Sequence, residues 1–70
     1  MRRLVKRSLV LAGHGTSLAL EPPFWTVLED LARERELSLA ALIGQIDAAR
    51  GTGPLASACR LTALRFARAG

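Results

Sequence analysis

A single cysteine, Cys59, stands in the whole 70-residue chain, and that one fact narrows the ways in which it can hold together. Short chains bury a smaller share of their surface than long ones, and they commonly rely on a disulfide, a structural metal or association with a second copy. One cysteine closes no internal disulfide, and together with the only histidine, His14, it makes a poor set of metal ligands. Association remains. Half of the residues are hydrophobic, more apolar surface than a small protomer hides easily, so the composition predicts a single domain over 1–70 that folds as a homodimer through a self-complementary apolar face. Cys59 lies in an alanine-rich, helix-like run, where a free thiol reads as a small buried hydrophobe rather than a nucleophile.

Charge falls in blocks. Arg2, Arg3, Lys6 and Arg7 crowd the first seven residues; all six acids (Glu21, Glu29, Asp30, Glu34, Glu36, Asp47) lie in the middle; and the chain after Gly51 is purely basic through Arg60, Arg65 and Arg68. Two cationic ends suit a polyanion such as DNA, because each neutralised phosphate releases counterions; the bland alternative is a solvated basic tail. The basic start ahead of Leu9-Val10-Leu11-Ala12 imitates a secretory signal. Its apolar run breaks at Gly13-His14-Gly15-Thr16, short of the roughly 7 to 15 apolar residues that such a segment needs, and no run approaches the ~20 of a membrane span. The expectation is a cytoplasmic protein with no membrane partner.

Ser8–Ala12 and Ser17–Leu20 are short, partly alternating apolar runs around a glycine-rich break, which reads as a strand, a turn holding His14 and a second strand, the whole forming a ribbon or hairpin over 8–20 behind a basic arm at 1–6. Leu9 and Leu11 share one face, as do Leu18 and Leu20; Ser8, Val10, Ser17 and Ala19 fall on the opposite side. Pro22-Pro23 stop the second strand and open a helix over 22–35, whose Phe24, Val27, Leu28, Leu31 and Ala32 keep helical spacing, with Trp25 as a packing anchor at the stripe's edge. Ser38 is a good cap for a second helix over 38–50, in which Leu39, Leu42, Ile43 and Ile46 recur at i, i+3, i+4 and i+7. After Gly51-Thr52-Gly53 a third helix runs over 54–68. Its Leu55, Cys59 and Phe66 line one side, and Leu61 and Leu64 lie round the other.

Catalysis finds little support. His14 has no companion in a triad or dyad pattern, Gly13-His14-Gly15 is not a phosphate-binding loop, and Glu29-Asp30 and Glu34-Arg35-Glu36 read as a solvated helix face. The chain reads as a non-enzyme without cofactor or metal.

The order of elements, strand then proline turn then two amphipathic helices, over residues 16–47 resembles the ribbon-helix-helix family, in which strands of two protomers pair into an antiparallel ribbon that enters the DNA major groove while their helices interlock. A closer resemblance, to short bacterial members of that family, runs through Lys6-Arg7-Ser8, Gly13-His14, Thr16-Ser17, Leu20-Glu21, Phe24-Trp25, Leu37-Ser38-Leu39, Ile46-Asp47 and Ser57-Ala58. It implies a mainly α fold with a short N-terminal β-ribbon, an intertwined homodimer and, in this chain, an added third helix at the C-terminal end. It also implies double-stranded DNA as partner, with Arg7, Ser8, Ser17 and Ala19 at the bases and Arg2, Arg3, Lys6, Ser38 and Leu39 at phosphates, the last two through the start of helix two. Leu18, Leu20, Trp25, Leu28, Leu42, Ile43 and Ile46 would form the dimer core. The function so implied is that of a sequence-specific DNA-binding protein, a repressor or autoregulator. The alternative is an antitoxin-like dimerisation or adaptor module that binds a protein instead; Gly15, where relatives carry arginine, and Ala19, which offers only a methyl, favour it.

Overall fold

A computed structural model describes residues 3–69, so Arg2 lies outside the described residues. A hairpin comes first. Strand β1 (Val5–Leu11) pairs antiparallel with β2 (His14–Leu20) in a two-stranded sheet, in a register that sets Val5 against Leu20, Arg7 against Leu18 and Leu11 against His14. Three helices follow: α1 (Pro22–Glu34), α2 (Leu39–Ala49) and α3 (Leu55–Ala69).

The hairpin departs from the expected one at both ends. Val5 and Lys6 belong to β1 rather than to a free arm, and the turn is Ala12-Gly13 rather than the glycine-rich run around His14, which is the first residue of β2. Positive φ at both turn residues (51° and 83°) explains the shift: a two-residue turn of this hand matches the twist of the flanking strands, whereas Gly15 remains extended.

Each helix is bounded by its own chemistry. Pro22 stands at the first position of α1, where its missing N–H costs nothing. The helix ends in a reciprocal pair of backbone bonds, Glu36 N–H to Arg33 O (3.1 Å) and Leu37 N–H to Ala32 O (2.8 Å), with Glu36 left-handed (φ 59°) at the position glycine usually fills. Ser38 caps α2, its Oγ accepting the Ala41 N–H at 3.0 Å.

The core lies between the hairpin and the helices. Leu20, Leu28, Leu42, Ile43 and Cys59 are fully buried, and Leu11, Leu18, Trp25, Leu31, Ala32, Ile46 and Ala63 complete the cluster. The residues read from sequence as a dimer core (Leu18, Leu20, Trp25, Leu28, Leu42, Ile43, Ile46) are thus already covered within one chain, which corrects the expectation that a partner is required to bury them. The physical reason is that the elements close on one another within the chain: α3 inserts Cys59 and Ala63, and β1 closes the sheet with Leu11. Arg60 ties α3 to the start of α1 by a forked contact with the Glu21 carboxylate (2.9 and 3.4 Å).

Candidate nucleic-acid interface

Strand alternation sorts the hairpin into two faces. Opposed residues point the same way, so the register places Arg7, Leu9, Leu11, Thr16, Leu18 and Leu20 toward the helices, and Lys6, Ser8, Val10, Gly15, Ser17 and Ala19 away from them. The outward face carries no carboxylate. It is flat and small along β2, where Gly15, Ser17 and Ala19 leave the backbone accessible, and taller along β1, where Lys6 and Ser8 are exposed and Val10 is 67% exposed.

Of the residues read from sequence as DNA contacts, the structure brings Ser8, Ser17 and Ala19 together on this face, with Ser8 directly opposite Ser17. Lys6, read from sequence as a phosphate contact, lies opposite Ala19 as the cation of the same surface. Arg7 is not among them. Its Nη1 donates to Glu29 Oε2 at 2.9 Å, and its guanidinium lies over the Trp25 ring, 4.7 Å from the centroid. Trp25 in turn donates its Nε1–H to the Val5 carbonyl at 2.8 Å. These contacts form a strut from the inner face of β1 to α1, and they occupy Arg7 on the side away from the outward residues. The sequence carried the signal, since Arg7 has the same parity as Leu9 and Leu11; what hid it was starting the strand at Ser8.

Arg3 is exposed just ahead of β1. Ser38 caps α2 and Leu39 packs on the core, and among the described residues neither has a hydrogen bond to the ribbon. The acids Glu29, Asp30, Glu34 and Glu36 are exposed on and just after α1, and of these Glu29 meets the inner side of the ribbon through Arg7.

The remaining candidates for chemistry are quickly placed. Burial pushes the Cys59 thiol up to about 11, with Asp47 adding to the rise and Arg60 opposing it, so at neutral pH it is a protonated core residue. Among the described residues no three of His, Cys, Asp and Glu gather to hold a metal ion, and no helix is long and apolar enough to cross a membrane.

Comparison with curated proteins and with solved structures finds no significant match. One family does match: the sequence pattern described as ribbon-helix-helix domain covers residues 4–67, the full hairpin and all but the end of α3. Members of that family are typically DNA-binding transcription regulators or antitoxins, and generally not enzymes. With a two-stranded N-terminal ribbon leading into packed helices, and with that match along its length, the chain belongs to the ribbon-helix-helix domain family.

Proposed function

We propose that the protein is a homodimeric DNA-binding regulator, a repressor or autoregulator, that reads the major groove with the outward face of its ribbon. The observation that carries this reading is the face itself: Lys6, Ser8, Ser17 and Ala19 together, without a carboxylate, on a sheet whose other side is closed by the core. One edge of β2 pairs with β1 and the other pairs with nothing among the described residues. Pairing that edge with the same edge of a second copy about a two-fold axis extends the sheet to four strands, with β2 of each copy at the centre.

Dimensions favour that arrangement. Strands lie about 4.8 Å apart, and the major groove is about 12 Å wide. The two central strands fit within the groove, and each β1 falls about 7 Å from the axis, beside the phosphate walls. Small residues then sit where the backbone must approach the base edges, and Lys6 sits where it meets phosphate. Ser17 supplies a hydroxyl that donates or accepts, and the Ala19 methyl suits the methyl of thymine. The backbone N–H groups at the start of α2 add a phosphate contact of the helix-terminus kind.

The test is a titration of the protein against DNA from upstream of its own coding sequence at two salt concentrations. Affinity should fall steeply with salt, Lys6→Ala should flatten the salt slope by about one contact, and Ser17→Ala should weaken specific binding alone. A salt slope near zero would exclude this function.

A second reading, an adaptor that binds protein rather than DNA, is favoured by the lack of any bidentate donor at Gly15 and Ala19 and by the engagement of Arg7 with Glu29. Protein capture that survives nuclease treatment, together with no upstream binding, separates the two.

A further inference from the structure

A groove of about 870 Å³ opens where the C-terminal ends of α1 and α2 meet the flank of α3, and no ribbon residue lines it. Its floor is apolar, built from Leu31, Ile46, Ala58 and Leu61, with Leu61 left 51% exposed. Three arginines, Arg35, Arg50 and Arg65, stand round it, and no carboxylate lines it. Arg50 is occupied by Asp47 (2.6 Å) and the Gly53 carbonyl, whereas Arg35 and Arg65 are exposed and have no ion-pair partner among the described residues. An apolar floor beneath unpaired cations has the character of a helix-in-groove site for a ligand with the opposite charge pattern.

A second copy is a poor occupant. After Asp47 the chain has no acid, so α3 laid on α3 brings Arg60, Arg65 and Arg68 of both copies together. The acidic helix α1 cannot fill the groove either, because its apolar residues Trp25, Leu28, Leu31 and Ala32 are spent in its own core. Nucleic acid would meet the arginines but leave the apolar floor unmatched. We therefore infer that this groove docks an acidic amphipathic helix of another protein, its apolar anchors on Leu61 and Ile46 and its carboxylates against Arg35 and Arg65. The inference is independent of DNA reading, since it uses a surface without ribbon residues.

The test uses three labelled synthetic helical peptides, each with leucines at i, i+3 and i+7: one flanked by glutamates, one with lysines in their place, and one with the glutamate sequence scrambled. Fluorescence anisotropy should show saturable binding of the glutamate peptide only. The Arg35→Glu/Arg65→Glu variant, at two exposed positions where substitutions seldom unfold a protein, should weaken that binding about tenfold or more and should now take up the lysine peptide. Leu61→Asp should abolish binding while leaving the molecular mass in light scattering and the DNA affinity unchanged. The inference is overturned by no saturable binding, by equal binding of all three peptides, or by a drop in mass with Leu61→Asp, which would show that a second copy covers the groove. Loss of DNA binding in the arginine variant would overturn it as well, by assigning the surface to DNA.

Discussion

Replacing Trp25 with phenylalanine tests the strut that positions the ribbon. The indole is 2% exposed, donates to the Val5 carbonyl at 2.8 Å and supports Arg7 on its face. Loss of a neutral hydrogen bond costs about 1 kcal/mol net. The smaller ring leaves a gap in a closed core, worth roughly another 1–2 kcal/mol, and the weaker cation contact removes about 0.5 kcal/mol. The sum is about 3 kcal/mol. A chain of this length has roughly 4–10 kcal/mol to lose, so urea unfolding followed by circular dichroism should show a midpoint lower by roughly 2 M. Glu29→Gln is the control: it breaks an exposed pair and should cost less than about 0.5 kcal/mol. A loss below about 1 kcal/mol for Trp25→Phe would refute the claim that the indole holds β1 to α1.

Three further outcomes are expected. Ala12→Asn and Glu36→Gly, each placing a residue tolerant of positive φ where the chain needs it, should stabilise by up to about 1 kcal/mol apiece in the same assay. Ser38→Ala removes the bond to Ala41 and should cost about 1 kcal/mol while leaving DNA affinity within a few fold, since the phosphate contact proposed there is a backbone one. The Cys59 thiol, an acid whose folded pKa is raised from 9.0 to about 11, binds its proton more tightly in the folded chain. Stability is therefore full below pH 9 and declines as pH rises from 9 toward 11, by at most about 2–3 kcal/mol; Cys59→Ala should remove that part of the decline, as read from thermal melts between pH 8 and 11.

Much of the fold was legible because its signals are local. Pro22-Pro23, Ser38 and the glycines after Arg50 mark helix ends by backbone chemistry, and the apolar spacing of Leu28, Leu31, Leu42, Ile43 and Ile46 marks the buried faces. The hairpin was harder to read. The turn pairs Gly13 with Ala12, a residue with no preference for positive φ, and the second glycine, Gly15, makes the whole stretch around His14 look like the break although it is extended. Beginning the strand at Ser8 instead of Val5 left Arg7 among the DNA contacts, although its parity with Leu9 and Leu11 points it at Trp25. The expected need for a partner to complete the core failed for a tertiary reason: α3 closes on α1 and α2 through Cys59, whose burial the sequence does suggest, and through Ala63, whose burial no hydropathy pattern announces. Ser8, Ser17 and Ala19 were found together because alternation alone fixes their side of the sheet.

The central claim, that the outward ribbon face enters the major groove, is tested most directly by methylation interference on upstream DNA bound by the purified protein. Methyl groups on guanine N7 project into the major groove and those on adenine N3 into the minor groove. The ribbon reading predicts that N7 methylation at a few guanines, symmetric about one centre, blocks binding, with N3 methylation harmless. Interference confined to adenine N3, or none at either position, would contradict it.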